Sequence, residues 1–177
     1  MRRAASTHRA SKQSTPTLKI VPDQIAVKYR TGGDRKVIDT LSRFGSVETY
    51  PQQRMLVLHC SPGAAGEGAQ RALDELQQAG LVEFVTSVLL DSESNTRQVL
   101  TDEIVLRLKP GRTKRTLAAL TAEHGVEVDR RNTFEPSQYI VKVPNPSGMQ
   151  TLDIARSLDR SDDVEFASPN FLTQIKR

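Results

Sequence analysis

Three histidines, one cysteine and a glycine-rich run are the residues of this chain best suited to chemistry. A hydrolytic triad or a metal site needs a histidine placed with a nucleophile or with further ligands. His8 lies in a basic N-terminal stretch, His59 in a strand pattern, and His124 just before a helix-ending glycine. There the plain reading is a residue favoured by the helix dipole. Cys60 follows His59 in the same strand pattern, where a cysteine behaves as a small apolar residue. With no second cysteine, neither a disulfide within the chain nor a short-spaced structural zinc site is available. Gly63, Gly66 and Gly68 follow a strand and precede a helix, as phosphate loops do. Their spacing is not the dinucleotide fingerprint and no P-loop lysine follows, so a β-to-α connection is expected. No catalytic residue, metal site or cofactor is therefore expected, and the chain is expected not to be an enzyme.

The formal charge of +4 is unevenly placed. Residues 1–19 hold Arg2, Arg3, Arg9, Lys12 and Lys19 and no acid, which leaves 20 basic against 21 acidic residues from Ile20 onward. A basic, Ser/Thr/Ala-rich start reads as a solvated arm, and the body is neutral. An RNA-reading sheet wants stacked aromatics amid basic charge. DEIVLRLK, Asp102–Lys109, has none, so no nucleic-acid partner is expected. No apolar run approaches the roughly 18 residues of a membrane span, and the N-terminus lacks the apolar core of a secretory signal. As written, the expected location is cytoplasmic, and extracellular if a signal has been removed.

The elements that must position these residues occur twice. DQIAVKYR (Asp23–Arg30) and DEIVLRLK (Asp102–Lys109) are alternating strand patterns 79 residues apart. Each is followed by a glycine-bearing turn and a helical pattern. The first carries Val37, Ile38, Leu41 and Phe44 and stops at Gly45; the second carries Leu117, Leu120 and His124 and stops at Gly125. Both glycines are expected as left-handed helix caps. Two further strands follow in each half. The second helix ends at Gly80 in the first half. Its counterpart carries Leu152, Ala155 and Leu158, with Ser147 and Gln150 at capping-box spacing. VEFV and VEFA, from Val82 and Val164, close each half as strands.

The order β-α-β-β-α-β, twice, predicts an α+β fold of two tandem ferredoxin-like units, each a four-stranded antiparallel sheet with two helices on one face. The predicted boundaries are an arm over 1–19, a first unit over 20–91, a linker over 92–100, a second unit over 101–168 and a tail over 169–177. A sheet bare on one face needs a cover. Leu56, Leu58, Val105 and Ile140 are the expected sheet-face contacts, met by the other unit or by another protein.

The second unit, from EIVLRLKPG (Glu103–Gly111) through LAALTAEHGVEV (Leu117–Val128) to DVEFASPNF, resembles the propeptide domains of subtilisin-type serine proteases, in particular the fervidolysin-like kind. The ending carries it: Val164, Glu165, Phe166, Pro169 and Asn170. The first unit lacks Pro-Asn there. The resemblance implies a proregion or free-standing inhibitor that docks on a subtilisin-type protease, in cis or in trans, and assists its folding. It would fill the substrate cleft with an extended tail of Pro169, Asn170, Phe171, Leu172, Thr173, Gln174, Ile175, Lys176 and Arg177. The catalytic motifs of that family are absent. A different expectation is a regulatory module that binds a small molecule such as an amino acid between paired units. It requires a polar pocket there and a glycine-bearing turn after the first strand, as at Thr31-Gly32-Gly33 and Pro110-Gly111.

Overall fold

The computed structural model describes residues 18–62 and 67–173. The predicted basic arm, apart from Leu18 and Lys19, lies outside the described residues, as do Gly63, Gly66 and Gln174, Ile175, Lys176 and Arg177. The first unit comprises β1 (Leu18–Tyr29), α1 (Asp34–Leu41), β2 (Gly45–Tyr50), a 3-10 turn (Pro51–Gln53), β3 (Met55–Cys60), α2 (Glu67–Gln78) and β4 (Val82–Asp91). The second comprises β5 (Thr96–Leu108), α3 (Lys114–His124), β6 (Glu127–Arg131), β7 (Gln138–Lys142), the two-residue β8 (Ser147–Gly148), α4 (Gln150–Asp159) and β9 (Val164–Thr173).

Within each unit the strands run in ferredoxin-like order, β2-β3-β1-β4 and β6-β7-β5-β9. All pairs in those two sheets are antiparallel. The chain is thus an α+β fold of paired ferredoxin-like units. Alternation decides what is buried. In the first unit Val27, Leu56 and Leu58 meet Val37 and Leu41 of α1 and Leu73 and Leu76 of α2. In the second, Ile104, Leu106, Tyr139 and Val141 meet Leu117, Leu120, Ala155 and Leu158.

The predicted linker is not a tether. Residues 92–95 form a tight turn, and Thr96–Val99 pair back on Val88–Asp91, so β4 and β5 are a hairpin fusing both units into one sheet. The outer ends of β1 and β9 extend this junction, Leu18–Ile20 pairing with β4 and Phe171–Thr173 with β5. One side of the junction, with Val88, Val99 and Leu172, covers Ala26, Met55, Val57 and Phe84 on the helix-free face of the first unit. The other side, with Leu89, Leu100 and Phe171, packs on Leu152 of α4.

The expected sheet-face contacts divide accordingly. Leu56 and Leu58 point toward α1 and α2, so the face that the second unit covers presents Met55 and Val57 instead. Val105 and Ile140 stand opposite each other on the helix-free side of the second unit and are half-buried.

Candidate functional site

Two register shifts, one per unit, shape the junction. Between the pairs Ile20↔Leu89 and Ile25↔Ser87, β1 carries four residues, Val21–Gln24, where β4 carries Val88. Between Leu100↔Phe171 and Ile104↔Pro169, β5 carries Thr101, Asp102 and Glu103 where β9 carries Asn170. Such bulges re-aim side chains, and here they aim equivalent ones. Gln24 of DQI and Glu103 of DEI are the same position of the duplicated unit, as are Val88 and Asn170.

In the second unit the bulge closes on itself. The Glu103 carboxylate accepts from both terminal nitrogens of Arg130, at 3.0 and 3.1 Å, and from Asn170 Nδ2 at 2.9 Å. Thr101 Oγ1 donates to the Asn170 carbonyl at 2.6 Å and accepts the Glu103 N–H at 3.2 Å. Burial raises the Glu103 pKa, but the bonds from Arg130 and Asn170 outweigh it and hold the carboxyl below its usual range.

In the first unit the bulge stays open. Val88 cannot donate as Asn170 does, and Gln24 is 5% exposed with its Oε1 unpartnered among the described residues. Gln24 lines a crevice of about 470 Å³ between the units. The first unit supplies Ile20–Pro22 and Ile25 of β1, Glu83–Ser87 of β4, and Gln70 and Gln77 of α2; the second supplies Asn145–Gly148. That last segment is held in place by sequence. Asn145 and Gly148 take positive φ, 44° and 53°. Ser147 and Gly148 lie parallel to Val85 and Thr86, and Thr86 Oγ1 donates to the Gly148 carbonyl at 2.9 Å. Gln150 Oε1 accepts the Ser147 N–H at 3.2 Å, one half of the expected capping box, although Met149 occupies the N-cap. Among the described residues no lysine, arginine or histidine lines this crevice, and the one acid is Glu83. The turns at Gly32-Gly33 and Pro110-Gly111 do not reach it.

The residues first considered for chemistry are scattered. His59 faces Glu48 at 3.4 Å on the outer strands. His124 Nδ1 lies 3.0 Å from the Leu120 carbonyl and Nε2 lies 3.2 Å from Ser157 Oγ, between α3 and α4. Cys60 is buried, and that burial, with the charge of Asp23, pushes its thiol pKa up, away from the reactive thiolate. Among the described residues no group of three or more His, Cys, Asp or Glu side chains is placed to hold a metal ion. No helix among them is long and apolar enough to cross a membrane.

The expected protease-binding tail is part of the sheet. Pro169 sits inside β9, on a strand that among the described residues pairs on one side, with β5, a position that tolerates a missing N–H. Asn170 bonds Glu103, Phe171 packs with Leu89 and Leu100, and Leu172 covers Met55 and Val57. Val164 is buried in the second core, and Glu165 and Phe166 both meet Arg107, by an ion pair at 3.8 Å and a ring contact at 5.1 Å.

No family model matches the chain, and no curated protein does. Among solved structures it is similar to the small subunit of acetolactate synthase from Thermotoga maritima, at 15% identity over 87% of this chain and 96% of that one, with a TM-score of 0.28. It is also similar to a protein assigned as a glycine cleavage system transcriptional repressor, at 15% identity over 85% and 96%, with a TM-score of 0.26. Neither is a protease propeptide. The resemblance to subtilisin-type propeptides is corrected on this finding, and with it the inhibitor and chaperone roles and the subtilisin-type partner. The motif on which it rested, Val164 to Asn170, is accounted for by the closing strand and its bulge.

Proposed function

We propose that this chain is a non-catalytic regulatory module that takes up a small molecule in the crevice between its two ferredoxin-like units. The observation that carries the reading is the unpartnered Gln24 amide oxygen, nearly buried in a crevice that both units build. An unmet buried acceptor costs about 1–3 kcal/mol, which a ligand can recover. A ligand there touches β1, β4 and α2 on one side and Asn145–Gly148 on the other, so its binding is linked to how the units are held together.

The test is a panel of free amino acids, amines, amides and carboxylic acids at millimolar concentration. It is read by melting temperature and by the NMR shifts of Gln24, Thr86 and Gly148. At least one class is expected to raise the melting temperature and move those resonances together, and Ser147→Trp, which fills the crevice, to abolish both effects. A panel in which no class does so overturns the reading.

A further inference from the structure

The duplication supplies an internal measure of what the open crevice lacks. In the second unit the bulge acceptor, Glu103, receives an amide N–H from Asn170 and two guanidinium N–H groups from Arg130. In the first unit the same position is Gln24, and the residue standing where Asn170 stands is Val88, which has no donor. The neighbouring side chains add no cation, because none of the described crevice residues is basic. Glu83, on the crevice wall, has Lys28 and Arg54 at 3.8 Å, both outside the crevice lining and too far to hydrogen-bond, so its Oε2 is a second buried acceptor without a hydrogen-bond partner among the described residues. Among the described residues a ligand carboxylate would therefore enter beside an acid and an amide oxygen with no counter-charge lining the crevice, and a desolvated anion without one is disfavoured. A ligand N–H donor meets an acceptor already desolvated, so it forms a bond without stripping water from the protein side.

Resting on the proposed ligand role of this crevice, we infer that its occupant is a small amine or primary amide without a carboxylate, its N–H lodged on Gln24 Oε1 as Asn170 lodges on Glu103. The remaining wall, Ile20, Val21, Ile25, Phe84, Val85 and Pro146, fits a short branched or cyclic apolar body. The inference separates this ligand from free amino acids, which carry the same ammonium but add the disfavoured carboxylate.

Four compounds of one skeleton test it: isobutylamine, isobutyramide, isobutyrate and valine, titrated by NMR against the full chain. The amine and the amide are expected to bind and to compete with each other, with isobutyrate and valine at least about tenfold weaker. Gln24→Leu is expected to weaken the amine and the amide about tenfold. Gln24→Glu, which installs the residue of the second unit, is expected to tighten the amine and leave the amide within a few-fold. The variant that gains affinity shows that the chain remains folded. Binding of isobutyrate or valine as tight as that of the amine overturns the donor inference while leaving a ligand crevice in place. Equal affinities in the wild type and both variants also overturn it. Failure of all four compounds overturns it too, and whether the crevice role falls with it is decided by the wider panel above.

Discussion

Lys28 places its ammonium 2.9 and 2.8 Å from the two oxygens of Asp102, across the boundary between the units. The side chains are 12% and 15% exposed, and the ammonium lies 5.3 Å from the centre of the Phe84 ring. A pair this shielded is dear to break on one side, because Lys28 then keeps only the looser contact with Glu83 at 3.8 Å among the described residues. Asp102→Leu is expected to lower stability by about 2–3 kcal/mol in urea denaturation, and Lys28→Met with Asp102→Leu by clearly less. A double variant as unstable as the sum of the two single ones would show that the charges do not interact. Glu103, the next residue, gives a pH signature. Its folded pKa lies below the usual value of 4.5, so its contribution is fully present above that pH and is lost as pH falls through the lower folded value. Glu103→Gln is accordingly expected to destabilise the chain at neutral pH, with the difference from wild type shrinking as pH falls below 4.5. A constant difference across that range would assign the loss to packing instead.

At the scale of elements, Gly45 shows why a pattern read correctly can be explained wrongly. The glycines at 45 and 125 look alike in sequence, one after each first helix. Gly125 is the left-handed cap of α3, with φ of 62°. The first helix ends earlier, at Ser42, and Gly45 opens β2 against β3, where a Cβ would stand 1.9 Å from the His59 carbonyl oxygen. Gly45→Ala is therefore expected to push β2 off β3 and cost about 1–3 kcal/mol, measured by the denaturation midpoint. An unchanged midpoint would mean that the edge strand moves freely. The strands and helices were legible because period-two and helical patterns recur at a fixed offset. At the hairpin, where a linker over 92–100 was expected, polarity has another cause. DSESNTRQ is polar because its turn projects into water, where the Asp91 carboxylate accepts from the Glu93 N–H and Ser94 Oγ, and not because it is a loose linker. The tail misled for the opposite reason, since the helix-free face that Leu172 covers is a long-range fact no local window contains. Gln24 was hidden in an ordinary strand pattern. Its signal was the comparison of DQI with DEI, together with Val88 standing in for Asn170.

For the molecule as a whole, the duplication is symmetric in fold and asymmetric in packing. The extended ends of β4, β5, β1 and β9 form a layer between the helix-free face of the first unit and α4 of the second. Each helix-side core is built within its own unit, and the two clusters of the junction are built from both. Val99 makes this testable. It belongs by sequence to β5 of the second unit, yet it is fully buried in the cluster formed by Ala26, Met55, Val57, Phe84 and Val88 of the first. Val99→Ala removes two buried methyl groups and is expected to cost about 2 kcal/mol. If the chain is one cooperative unit, that loss reaches every deeply protected amide. Hydrogen exchange under native conditions should then speed up by the same factor in α2 of the first unit and α3 of the second, neither of which Val99 contacts within that cluster. If the units unfold independently, exchange in one of the two helices would keep its wild-type rate. Such cooperativity would also link the crevice to the rest of the molecule. A ligand bridging β4 and Gly148 binds only while both units are folded against each other, so it should slow exchange in α2 and α3 together.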